Sequence, residues 1–123
     1  MLDYNLDQTS GILALEPKGS LTVDDFKALT ADVDAYLAGH DNLTGILLAA
    51  AHFPGWESFA ALVQHVRFVR DHQKRIDRVA VLTDSLALTI PPAVAVHFAH
   101  PDFRVFASAD RAAAMNWLEG TSG

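Results

Sequence analysis

Gly45-Ile46-Leu47-Leu48-Ala49-Ala50-Ala51 runs without a charge into His52-Phe53-Pro54-Gly55-Trp56-Glu57, and the reading of this junction decides the fold. An apolar run of that length, closed by turn residues, reads as a strand buried on both faces. From Trp56 the spacing becomes helical and holds to about His72. A buried strand passing through a tight elbow into a helix is the building unit of an α/β sheet. In open sheets of that kind, ligands meet the protein at the carboxyl ends of the strands. The elbow at 52–57 is therefore the first place to look for function.

Upstream, Thr22 is a good N-cap and Asp25 stands three residues on, as in a capping box. Val23, Phe26, Leu29, Thr30, Val33 and Leu37 follow at helical spacing, while Asp24, Lys27, Asp32 and Asp34 face the other way. Gly39 stands where a left-handed helix-ending residue is wanted. Earlier still, Leu2, Tyr4 and Leu6 alternate with Asp3, Asn5 and Asp7, the period of a half-buried strand. A turn at Gln8-Thr9-Ser10-Gly11 leads to a second strand, Ile12-Leu13-Ala14-Leu15, so the two pair as an antiparallel hairpin.

Downstream, the second helix places Trp56, Phe59, Leu62, Val63, Val66 and Val69 on one broad face, expected to cover the sheet. Phe68 falls on the opposite face between His65 and His72, and these three residues are expected at a subunit contact, where aromatic side chains are enriched. Residues 78–83 give another buried strand, parallel to the central one because a helix separates them. Pro91-Pro92 is suited to open a short helix over 93–98. Residues 102–106 give an edge strand, and a last helix capped by Ser108 ends at Gly120. The order is β-β-α-β-α-β-α-β-α. It predicts one α/β domain over 1–123: a five-stranded mixed, mostly parallel sheet with an antiparallel edge strand and flanking helices.

Composition narrows the function classes. The net charge is −6, from 15 acidic and 9 basic side chains, which argues against a nucleic-acid partner. The absence of cysteine excludes disulfides, thiolate chemistry and cysteine–zinc sites. No basic-then-apolar leader is visible, which makes the cytoplasm the expected location. No stretch is long and apolar enough to predict a membrane span.

Four features carry a family resemblance: the opening hairpin, Phe53-Pro54-Gly55-Trp56-Glu57-Ser58-Phe59, Arg78-Val79-Ala80-Val81-Leu82-Thr83-Asp84, and the closing Phe106 with Trp117-Leu118. In this order the chain resembles the SpoIIAA-like family of small bacterial proteins, which are similar to STAS domains and to lipid-binding Sec14 domains. The resemblance implies a five-stranded mixed sheet with flanking helices, often in a homodimer, and no agreed reaction. STAS proteins that antagonise anti-sigma factors carry a phosphorylatable serine at this elbow; here Trp56 or Glu57 fills that position, and Ser58 lies in the following turn.

Candidate chemistry is sparse. The six histidines include His97 and His100, which would share a helical face, but no carboxylate on the same turn completes a metal site. No nucleophile elbow, phosphate loop or dinucleotide fingerprint is present. An acid–base pair of His52 and Glu57 is the one enzymatic alternative; Glu57 otherwise complements the helix N-terminus. The expected function is a non-enzymatic, cofactor-free binding or regulatory module. A small apolar or amphipathic ligand is expected between the elbow and the uncharged 86–98 segment, on His52, Phe53, Trp56, Leu88, Ile90, Val94 and Phe98. The alternative is a homodimeric protein-interaction module built on His65, Phe68 and His72.

Overall fold

The structure is a computed structural model, and it describes residues 1–49, 56–84 and 102–120. The expected short helix over 93–98 lies outside the described residues.

Two strands, β1 (Leu2–Asp7) and β2 (Ile12–Pro17), pair antiparallel through the turn at Gly11. Helix α1 (Val23–Leu37) then crosses to β3 (Leu43–Ala49), which pairs parallel to β2. Helix α2 (Phe59–His72) and a short 3-10 turn (Gln73–Arg75) lead to β4 (Ile76–Leu82), parallel to β3. Strand β5 (Asp102–Phe106) adds parallel to β4, and α3 (Arg111–Leu118) follows it. The sheet order is β1-β2-β3-β4-β5, five strands with one antiparallel pair, as the sequence pattern predicts.

Side chains alternate across a strand, so the central strands β2, β3 and β4 each feed two cores. On one face Leu13, Ile46, Val79 and Val81 pack against Leu29 and Val33 of α1 and Phe68 of α2. On the other, Ile12, Leu47, Ala80 and Leu82 pack against Ala114 and Leu118 of α3. Gly45 lets α3 approach: a Cβ there would stand 2.7 Å from Leu118 Cδ2. Arg78 of β4 fastens the same helix, donating to the Trp117 carbonyl with its guanidinium 5.3 Å above the indole ring.

The α1 start is as read from the sequence. Asp25 N–H donates to the Thr22 hydroxyl (3.1 Å) and Thr22 N–H to the Asp25 carboxylate (2.9 Å), closing a capping box. Its end differs. Among the described residues only Gly11 and Gly120 have positive φ, so Gly39 is not left-handed. Arg75 donates to Leu37 O at the helix end (3.0 Å) and to His40 O (2.8 Å) and Asp41 O (2.9 Å) in the loop beyond it.

Two other caps move. Ser58, not a residue upstream of it, is the N-cap of α2, and its hydroxyl accepts from Ala61 N–H at 3.2 Å. Asp110 occupies the N-cap position of α3. Ser108, expected there, turns to Asp84 at the end of β4 and donates through its hydroxyl (2.5 Å) and its backbone N–H (3.1 Å).

The largest correction concerns which face of α2 is inside. Ala61, Phe68 and His72 are buried, whereas Phe59 is 78% and Val66 59% exposed. Of the apolar stripe that the sequence assigns to the sheet, Phe59 and Val66 face outward, and the expected interface residues Phe68 and His72 belong to the core. Physically, two rings are accommodated by burying them with partners. His72 Nδ1 lies 2.7 Å from the Phe68 carbonyl and Nε2 2.7 Å from the Asp34 carboxylate. Each ring nitrogen therefore has a hydrogen-bonding partner. His72 also stacks on Phe68 with centroids 4.4 Å apart.

Candidate site: an apolar cavity beside Trp56

The elbow's first residues and the 86–98 segment fall outside the described residues, and with them His52, Phe53, Leu88, Ile90, Val94 and Phe98. Trp56 and Glu57 are described. Trp56 forms a parallel bridge with Leu21, and Glu57 N–H donates to Leu21 O at 2.8 Å. The chain that leaves β3 is thus pinned to the chain that leaves β2. The Trp56 indole N–H donates to His65 Nδ1 at 3.0 Å. His65 in turn stacks on Phe26 of α1, centroids 4.9 Å apart. Three rings from three segments therefore meet: Trp56, which is 38% exposed, His65, half-buried, and Phe26, buried.

Behind His65 lies a cavity of about 200 Å³ between the sheet and the two helices. Leu2, Leu15, Ile46, Leu48 and Val79 form its floor from β1 to β4. Phe26 and Leu29 of α1 and Phe68 and Val69 of α2 form its roof. Among the described residues its polar side chains are His65 and Gln73. The structure thus brings Trp56, His65 and Phe68 to one place, although the sequence assigns the first to a ligand site and the other two to an interface. His72 sits one turn beyond Phe68, against Asp34, outside the cavity.

Sequence reasoning missed the β-strand floor. The alternation of Leu2 and Leu15 with polar neighbours gives their face, but a gap between sheet and helices depends on packing distances that no spacing encodes. The sequence assigns His65 to a subunit contact; the structure sets it against Trp56 and the cavity.

Electrostatically the cavity is quiet. Burial pushes the His65 imidazole below its ordinary pKa of 6.5, favouring the neutral ring. Accepting the Trp56 N–H also requires an unprotonated Nδ1, which leaves the proton on Nε2. The unfolded chain binds a proton on this ring at higher pH than the folded chain. The stability gained by keeping it neutral is complete above 6.5 and drains as pH falls below that value. Thermal unfolding followed from about pH 8 to about pH 5 is expected to show this fall, and His65→Gln to flatten it; parallel curves for the two proteins would remove His65 as the cause.

Ser58 has its hydroxyl engaged in capping α2, and Glu57 is exposed. Among the described residues no three His, Asp or Glu side chains are grouped to hold a metal ion, and no helix is long and apolar enough to cross a membrane.

No curated protein matches the chain. Among solved structures, it is similar to the crystal structure of an uncharacterised protein of the DUF3478 family, with a SpoIIAA-like fold, from Shewanella loihica PV-4. The TM-score is 0.76 at 23% identity, over 95% of this chain and 93% of that one, which establishes the shared fold. The SpoIIAA-like family matches the sequence over residues 12–119, from the start of β2 past the end of α3. By that match and by its five-stranded sheet, the chain belongs to the SpoIIAA-like family.

Proposed function

We propose that this protein is a non-enzymatic binding module that takes a small apolar or amphipathic ligand into the cavity beneath α1 and α2. The observation that carries the reading is the cavity itself, about 200 Å³ with an almost wholly apolar lining. Protein interiors hold few voids larger than a water molecule. The cavity is partly open to solvent. An apolar ligand seated in it removes the lining from water, at ~25 cal/mol per Å² of apolar area covered. The lining also supports binding over catalysis, since among the described residues its polar side chains, His65 and Gln73, have no nucleophile or carboxylate beside them in the wall. The cavity adjoins Trp56 of the elbow through the Trp56–His65 hydrogen bond.

Native mass spectrometry of protein purified without detergent is expected to show bound small-molecule mass. A fitting ligand at ~100 times its Kd is expected to stabilise the fold by about 2.7 kcal/mol, roughly 10 °C in Tm. No bound mass and no thermal shift across alcohols, short fatty acids and fused-ring compounds would sink the reading.

A second reading rests on the outward stripe of α2. Phe59, Val63, Val66 and Val69 are 78, 37, 59 and 37% exposed, and contiguous exposed apolar surface marks interaction sites. On this reading the protein is a homodimeric interaction module related to the anti-sigma factor antagonists, without their serine. Phe59→Glu is then expected to halve the mass seen by light scattering; an unchanged mass eliminates this face.

A further inference from the structure

The outward face of α2 finds its complement elsewhere in the same chain, on α1. We infer that two copies pair through their helical layers, α2 of each lying on α1 of the other. The two-fold axis of this pair runs along the helices. The pairing rests on the homodimer reading above and gives it a geometry.

Charge is divided unevenly along the chain. The first 49 residues hold eight acidic and two basic side chains and so carry the whole net charge of −6. Residues 50–123 hold seven of each. On α1 the exposed charges are Asp24, Asp32 and Asp34 against Lys27. Asp32 and Asp34 each hold a ring of their own protomer through one oxygen, Tyr4 and His72, and both remain exposed. On α2 and the turn after it, Arg67, Arg70 and Lys74 are exposed against Asp71. Setting α2 on α2 brings two basic faces together, whereas α2 on α1 joins opposite signs.

Shape agrees with charge. Phe59, Val63, Val66 and Arg70 form the outermost ridge of α2, spaced four, three and four residues apart. Asp24, Ala28, Ala31 and Ala35 repeat that spacing on the outer side of α1, and all four are exposed. Bulky side chains on one helix and methyl groups on the other allow a ridge to seat in a shallow surface. The arrangement buries Phe59 and Val66, which are 78% and 59% exposed in one protomer.

The register follows from contacts within the protomer. Strands β2, β3 and β4 are parallel, so α1 and α2, which connect them over one face, run in the same direction. The Phe26–His65 stack and the Asp34–His72 contact set residues of α1 level with residues 38–39 further on in α2. An axis along the helices leaves heights unchanged. The partner's Ala28 then stands level with Val66, and the partner's Asp32 level with Arg70. Arg67 falls between the partner's Asp24 and the partner's Asp32, about 6 Å along the axis from each at 1.5 Å per residue. An axis across the helices sets α2 on α2 instead, with its basic faces opposed.

The chain has no cysteine, so single introduced thiols report the pairing without background. Ala28→Cys and Val66→Cys both lie at exposed positions and leave the core untouched. The full chain is expected at twice 13.3 kDa in light scattering. After subunit exchange and mild oxidation, the mixed variants are expected to give at least ~5-fold more disulfide-linked dimer than either alone, since the bridge needs closely placed Cβ atoms. Arg67→Glu combined with Arg70→Glu is expected to weaken the dimer at least ~10-fold, by placing like charges across the interface. Val66→Cys linking to itself as well as to Ala28→Cys sets α2 on α2; it overturns the inference and spares the homodimer reading. A dimer that gives no linked product in the mixture does the same. So does one that Phe59→Glu dissociates and the two arginine changes leave intact. A monomer at every concentration up to ~1 mM overturns both.

Discussion

Truncating Phe68 to alanine is expected to cost about 3 kcal/mol, at the lower end of the usual 3–5 for a buried aromatic, because one side of the ring already borders the cavity. Phe68 is 7% exposed, packs with Val79 and Val81 of β4 and Leu29 of α1, and carries the stacked His72 ring. Its loss removes the contact between α2 and the sheet at the point where the two helices share a core. With a urea m-value of about 1.5 kcal/mol per M, the midpoint is expected to fall by roughly 2 M. Phe59, one helical stripe away and 78% exposed, is the matched control. Phe59→Ala is expected to change the stability by less than about 0.5 kcal/mol, roughly 0.3 M in the midpoint. Equal effects at the two positions would mean that α2 is rotated from the orientation described. Phe68→Glu belongs to the same series: a charge placed there is expected to prevent folding, not to separate a dimer.

Gly11→Val is expected to be comparably damaging through a different cause. Gly11 has φ 73°, a region costing an L-residue roughly 1–2 kcal/mol and least tolerant of β-branching. Its added Cβ would stand 2.6 Å from the Tyr36 hydroxyl and 2.8 Å from the Thr44 hydroxyl, so overpacking adds about 1–3 kcal/mol. The backbone there is also a junction. Gly11 N–H donates to Asp7 O at 2.8 Å, and Gly11 O accepts from Thr44 N–H at 2.9 Å, joining the hairpin turn to the start of β3. A total near 3 kcal/mol lowers Tm by roughly 10 °C for a chain of this length. Gly39→Ala is the control, since a Cβ there meets nothing within 4 Å and φ is not positive. A Gly39 variant as unstable as the Gly11 variant would contradict both assignments.

Much of the architecture is legible in the sequence because it depends on local rules. Alternation in β1, the uncharged run of β3 and the Thr22–Asp25 box each report a pattern complete within a few residues. The failures occur where distant partners decide. Helical periodicity finds the Phe59-Val63-Val66 stripe correctly, and the stripe exists. It cannot say that His65 and His72 will be matched by Trp56, Phe68 O and Asp34, three partners that make the other face the cheaper one to bury. At Gly39 too a distant partner decides: Arg75, thirty-five residues after His40, holds the end of α1 and the loop beyond it by donating to the Leu37, His40 and Asp41 carbonyls. The cavity is the extreme case. Its wall draws on β1, β2, β3, β4, α1 and α2, and it arises from the spacing between layers, a quantity written in no one segment.

The strand order carries a kinetic consequence. Because β1 through β5 lie side by side in the order in which they occur, each strand pairs with the one made just before it. No strand has to be threaded between two that are already joined, and the chain closes only the loop of one crossover at a time. Loop closure is the chief entropic obstacle to forming parallel sheets, and keeping each loop short lowers it. As the chain emerges from a ribosome, the sheet can grow from its hairpin end by addition at one edge. The acidic outer strand β1, with Asp3, Asn5 and Asp7 alternating along it, is then the fixed end, and its charges discourage a second growing chain from pairing there.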